Sequence, residues 1–199
     1  LKVIRSAEDP FSKDGGIKIL KGNIGRSVVK TAAVDKENRL VEAPAIVFHE
    51  QSDLIKAFKN DELNKDFIAV VPFQGPKQNG MPELHNLTPS LTILQKRGYK
   101  VGLITDGRMS GASGKVPAAI HLTPEAIEGG PIAKIRTGDM IRIDCDKGTL
   151  EIFDYTEVSK RVITKIERKN TTSLGRGLFQ MARKTVSTSE RGASFRLPA

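Results

Sequence analysis

The sequence predicts an α/β domain in which buried strands alternate with helices and then give way to short antiparallel strands of a barrel-like layer. Three observations predict it. Two apolar runs of buried-strand type, FIAVV (67–71) and KVGLIT (100–105), each follow a segment with helical spacing. A Gly-rich loop directly follows each run, which is where α/β sheets form ligand crevices. From Ile132 onward, short alternating segments are separated by turn residues, the pattern of antiparallel strands.

Taken in order, Lys13-Asp14-Gly15-Gly16 signals a turn, and IKIL (17–20) and SVVKTAAV (27–34) read as strands flanking Gly22-Asn23. AIVFH (45–49) is an apolar strand, SDLIKAFKNDEL (52–63) a helix and FIAVV the next strand, which together make a βαβ unit. Thr88-Pro89 reads as N-cap and first helical residue of a helix to Arg97, with Gly98 as terminator. KVGLIT leads into DGRMSGASGK (106–115), then VPAAIHL (116–122), and Thr123-Pro124 opens a further short helix. IAKI (132–135), DMIRID (139–144) and TLEIF (149–153) read as barrel strands, separated by Thr137-Gly138 and Asp146-Lys147-Gly148. VSKRVITKIERK and LGRGLFQMARKTV read as helices, and the polar end frays or docks on a partner.

A chain of 199 residues with 38% apolar content is expected to form a single domain. Residues from about 170 to 199 form a helical, polar extension of it. The longest apolar run, Phe67 to Phe73, is broken by Pro72 and falls far short of the ~18 residues that span a bilayer. The opening LKVIRSAEDP has neither an initiating Met nor a signal-peptide core, so a domain cut from a longer, cytoplasmic protein is expected. The single Cys145 forms no intramolecular disulfide and alone supplies no cluster or zinc site; it reads as a filler of the barrel core. A net charge of +9 invites a nucleic-acid reading. The basic residues are spread evenly, however, aromatics are only 5%, and no nucleic-acid motif is visible, so an anionic metabolite explains the charge better.

The chemistry-bearing residues sit in the two loops. FQGPKQNGMPELH (73–85) carries Glu83 and His85, and TDGRMSGASGK (105–115) carries Asp106, Arg108, Ser110, Ser113 and Lys115 on a backbone that its glycines make free to turn. Successive N–H groups of such a loop can build an anion nest, completed by a guanidinium or ammonium. SGASGK is no nucleotide P-loop, because Val116 follows Lys115 where Ser or Thr is needed. Read from the residues alone, each position keeps a plainer alternative. Ser110 can be a turn residue, Glu83 a dipole-stabilising residue at a helix start, and Asp106 a cap of its own turn. His49, His85 and His121 can be hydrogen-bonded structural histidines.

Together, TDGRMSGASGKVPAAIHLTPEA (105–126), FQGPKQNGMPELHNLTP (73–89) and GGIKILKGNIGRSVVKTAAV (15–34) resemble the C-terminal part of the dihydroxyacid and 6-phosphogluconate dehydratase family. The resemblance runs from about Gly15 to Ile152. Gln78-Asn79-Gly80, Glu83-Leu84-His85 and Ala112-Ser113-Gly114-Lys115 are closer to its 6-phosphogluconate branch than to the glycine-richer dihydroxyacid branch. The resemblance implies a swivelling β/β/α domain, with a barrel-like β layer and outer helices. It implies a hydro-lyase converting 6-phospho-D-gluconate to 2-keto-3-deoxy-6-phosphogluconate in the Entner-Doudoroff route, of which this chain supplies the C-terminal half of the active site. The iron-sulfur cluster would have its ligands in an N-terminal domain that this chain does not contain, and none in this chain, which alone should be inactive. Magnesium would be shared with that domain. Ser110 matches the family's alkoxide base and Glu83 its magnesium-binding carboxylate. Arg108 and Lys115, with Asp106, Ser113 and His85, are the expected contacts of an anionic sugar-acid phosphate. The expected partners are the protein's own N-terminal domain and a second copy, with no nucleic acid and no membrane. A dihydroxyacid or other aldonic-acid dehydratase remains an alternative, as does a non-catalytic domain binding an anionic sugar or a protein.

Overall fold

The structure, a computed structural model, describes residues 3–11, 15–110, 114–163 and 174–195. Eight strands close into a barrel: β1 (Ile17–Gly22), β2 (Gly25–Lys30), β3 (Leu40–Val47), β4 (Phe67–Val71), β5 (Val101–Thr105), β6 (Ala118–Thr123), β7 (Met140–Asp144) and β8 (Thr149–Ile152). Around the barrel they run β1-β2-β6-β5-β4-β3-β7-β8. The expected mixed α/β barrel-like layer is thus present. Strands β3 to β6 pair in parallel, and the other pairings are antiparallel apart from a parallel contact between Lys21 of β1 and Thr149 of β8 that closes the barrel. That closure depends on Gly22, where a Cβ would lie 1.8 Å from the Leu150 carbonyl oxygen.

FIAVV and VGLIT are buried on both faces because a parallel half-sheet is covered on both sides. Ile68, Val70 and Ile104 point into the barrel, where they meet Leu20, Val29 and Ile143. Phe67, Ala69, Val71 and Leu103 point outward, onto α1 (Gln51–Lys59) and α3 (Leu87–Lys96) through Leu54, Leu91 and Leu94. Cys145 lies fully buried in the barrel core, as its sequence position suggested. Burial pushes its thiol up to about 11, with Asp146 and Asp144 adding to the effect.

Several boundaries differ from the sequence reading. IAKI is not a strand: its first three residues belong to a 3-10 helix, Pro131–Lys134, which Pro131 opens with its fixed φ, and Ile135 is the C-cap. SVVKTAAV ends as a strand at Lys30. Asn86, not Thr88, is the N-cap of α3, and Thr88 and Pro89 lie in its first turn. After Thr123-Pro124 the helix is a single 3-10 turn, Ala126–Glu128. In VSKRVITKIERK, α4 (Tyr155–Lys160) stops where Arg161 is extended, and the rest from residue 164 lies outside the described residues. LGRGLFQMARKTV forms two short helices, α5 (Leu174–Leu178) and α6 (Gln180–Thr185), instead of one. No helix among the described residues is long and apolar enough to cross a membrane.

Candidate functional site

The two chemistry-bearing loops leave the same end of adjacent parallel strands, β4 and β5, so the pairing Val71↔Thr105 sets them side by side. Thr105 Oγ1 donates to the Val71 carbonyl at 2.7 Å and accepts the Gly107 N–H at 2.9 Å. Asp106 then ties three segments: one oxygen accepts the Gln74 N–H at 2.7 Å and the other the Ala126 N–H at 2.9 Å. Its carboxylate is fully enclosed, and burial raises its pKa while the backbone donors oppose the rise. Asp106 therefore shapes the loops from beneath rather than presenting an oxygen at their surface. It does more than cap its own turn.

Above it, Glu83 and Arg108 form an isolated parallel bridge, with the Leu84 N–H donating to the Arg108 carbonyl at 3.2 Å. The Glu83 carboxylate is the centre of the cluster. Oε2 pairs with Arg108 Nη1 at 2.6 Å, and Oε1 accepts the N–H groups of Ser110 at 2.8 Å and His85 at 3.1 Å. Arg108 Nε donates to the Met81 carbonyl at 2.8 Å. Lys30, from β2, donates through Nζ to the carbonyls of Ser110 at 2.7 Å and Met109 at 3.2 Å. Glu83, Arg108, Ser110 and the His85 backbone are thus brought together. Lys115 is exposed, and its carbonyl accepts from Gln95 Nε2 of α3 at 3.2 Å. Ser113 lies outside the described residues.

Backbone strain collects around these loops. Phe73, Met81 and His121 hold φ values of 62°, 52° and 56°, a region that non-glycine residues rarely adopt and that clusters at functional sites. His121 sits where the β2–β6 register shifts between Arg26 and Val28, a bulge that re-aims its side chain. Its N–H donates to the Gly107 carbonyl at 2.9 Å. Burial lowers the imidazole pKa first, and Lys30 and Arg108 lower it further, so the ring is neutral near pH 7. Glu125 is a second buried carboxylate. Oε2 accepts the Lys77 N–H at 3.2 Å, and Oε1 has no hydrogen-bond partner. Burial raises its pKa to about 7, with Asp106 and Glu128 adding to the rise.

Lys30 and Glu125 were not singled out by sequence reasoning. Lys30 lies 80 residues from Ser110 and reaches it only because β2 pairs with β6. Glu125 had one available signal, its place at the end of the long motif string.

The donor set tests the two expected cofactors. A carboxylate offers about four lone-pair directions, and Glu83 already accepts from Arg108, Ser110 and His85. It fits magnesium as one contributing oxygen ligand, with the other ligands coming from elsewhere. Among the described residues no three His, Cys, Asp or Glu side chains converge on one point. Cys145, enclosed in the barrel with its thiol protonated, does not fit an iron-sulfur cluster.

Comparison with known proteins identifies the family. A phosphogluconate dehydratase of Rhizobium meliloti is 52% identical over 195 residues, and one of Pseudomonas aeruginosa is 51% identical over 192. The alignments cover 97% and 96% of this chain but 32% of each relative, so the chain spans about a third of their length. A dihydroxy-acid dehydratase of Acetivibrio thermocellus is 38% identical over 197 residues, covering 96% of this chain and 35% of that protein. The model of the dihydroxy-acid/6-phosphogluconate dehydratase C-terminal family matches residues 2–193, a span that includes the barrel and both loops, and the chain belongs to that family.

Proposed function

We propose that this chain is the C-terminal part of a hydro-lyase that converts 6-phospho-D-gluconate to 2-keto-3-deoxy-6-phosphogluconate, and that Ser110 is its base. The observation that carries the proposal is the Glu83 carboxylate, which grips the Ser110 backbone and the Arg108 guanidinium at once. The relatives named phosphogluconate dehydratase, at 51% and 52% identity, favour the phosphorylated substrate over that of the dihydroxy-acid dehydratase at 38%.

In the reaction the proton on the carbon next to the substrate carboxylate passes to Ser110 Oγ. The C–H electron pair forms the new double bond, the hydroxyl of the neighbouring carbon leaves with the C–O pair and takes up the proton from Ser110 to depart as water, and the enol tautomerises to the keto acid. A serine hydroxyl is far too weakly acidic to act as a base unaided, so its alkoxide needs positive charge nearby. Lys30 and Arg108 supply this chain's share of it. Held by Glu83 and Lys30 through its own N–H and carbonyl, Ser110 pays little entropy to present its side chain. When bound, an iron-sulfur cluster and magnesium supply Lewis acidity to the leaving hydroxyl and the carboxylate end. The cluster ligands, most magnesium ligands and the second copy of a homodimer lie outside this chain. A cytoplasmic setting suits a protein of metabolic role with a protonated, unpaired thiol.

The test is 2-keto acid formation from 6-phosphogluconate by the full-length protein with magnesium under anaerobic conditions. Ser110→Ala is expected to lower turnover by at least roughly 10²–10⁴-fold with the cluster absorption unchanged. Near-normal turnover removes Ser110 from the chemistry. Keto-acid formation from a different sugar acid only would transfer the same site to that substrate.

A further inference from the structure

The Ser110 end of the site must meet the carboxylate end of a sugar acid, because the proton removed lies next to the carboxylate. The far end of the substrate extends away from Ser110. Arg108 marks a route, since Nη1 is held by Glu83 while the same side chain lines a cavity of about 600 Å³. The opposite wall of that cavity is α6. Phe179, Ala182, Arg183 and Val186 follow the i, i+3, i+4, i+7 spacing of one helical face, and all four line it. Arg183 thereby faces the same space as Arg108, and no acidic side chain lines the cavity among the described residues.

We infer that the cavity between Arg108 and α6 is the subsite for the phosphate of the substrate, with Arg183 as its specificity-determining residue. This rests on the dehydratase reading above and assigns the end of the substrate that the reading leaves open. Two cationic partners match the charge of a phosphate dianion, and guanidinium groups suit it because their forked donors match its oxygens. Most of the remaining wall is apolar and includes Met81 on the loop side, with Asn79 as a further polar group. The tail that carries Arg183 is anchored to the barrel. Glu190 pairs with Arg26 of β2 at 3.0 Å, and within the tail Val186 bridges to Phe195. Arg183 is half-buried on the short helix α6, so thermal unfolding of each variant beside the wild type checks that the fold is intact.

The experiment compares the full-length protein with its Arg183→Gln and Arg183→Lys variants by calorimetry, using 6-phosphogluconate, gluconate and inorganic phosphate as ligands, alongside steady-state kinetics. Arg183→Gln is expected to weaken 6-phosphogluconate binding by roughly 30–100-fold, the loss of one charge-assisted pair, and gluconate binding by less than about threefold. KM should rise far more than kcat falls, and Arg183→Lys should recover part of the affinity. Equal losses on both sugar acids, or an unchanged preference for the phosphorylated one, would overturn the inference. If the wild type does not dehydrate 6-phosphogluconate at all, the dehydratase reading fails separately, and phosphate binding then decides the subsite alone. Binding lost in Arg183→Gln keeps it, and binding absent from the wild type or retained in the variant removes it.

Discussion

Glu83 and Glu125 are carboxylates of the same loop system held in opposite ways. Glu83 is surrounded by donors, the Arg108 guanidinium and two backbone N–H groups. Replacing it with Gln keeps an acceptor but removes the charge that Arg108 and a cation both need. Glu83→Gln in the full-length protein should raise the magnesium concentration for half-maximal activity by roughly 10–100-fold; an unchanged titration would reduce Glu83 to a staple between the loops. Glu125 has one backbone donor and an oxygen without a partner, and its pKa stands raised to about 7 from an ordinary 4.5. A folded-state pKa above the unfolded one means that the folded state binds the proton more tightly. The stabilising contribution is therefore complete below about 4.5 and is lost as pH rises through about 7. Glu125→Gln, neutral throughout, should flatten that part of the melting-temperature profile, and a variant whose profile parallels the wild type would show that Glu125 ionises without penalty.

At the scale of elements, the site is two loops stitched together at their roots. Gly107 lies where they touch, and a Cβ there would come within 2.7 Å of Gln74 Cβ and 2.9 Å of Leu84 Cδ1. Both neighbours belong to the first loop, so Gly107→Ala forces that loop away from Glu83's partners. Overpacking of this kind costs about 1–3 kcal/mol of stability. A displacement near 1 Å can cost on the order of 10²-fold in rate, so turnover should fall by at least roughly tenfold. Chemical denaturation with a parallel assay separates the two effects; full activity at unchanged stability would mean that the loops are not rigidly coupled. The loops themselves were legible from their glycines and from their position after apolar strands. Their coupling through Asp106 was not, because Gln74 and Ala126 lie 32 and 20 residues away from it in sequence.

For the whole molecule, the barrel core carries the stability that the loops draw on. Leu122, fully buried inside the barrel, sits one residue beyond the strained His121. Leu122→Ala should cost about 2–5 kcal/mol in denaturant unfolding, and a cost below about 1 kcal/mol would mean that the core collapses around the vacancy. The sequence by itself determined most of the strands, both site loops, the barrel-filling role of Cys145 and the family, since hydrophobic period, turn residues and motif strings are local properties of the chain. It misread IAKI as a strand, because apolar alternation over four residues does not distinguish a short strand from a 3-10 turn. Only the tertiary structure decided that the strands close around on β1 and β8, that Lys30 reaches Ser110, and that Arg183 faces Arg108 across a cavity. Each of these joins residues distant in sequence through strand register or helix docking, and such contacts are set by packing of the whole chain rather than by the residues on either side.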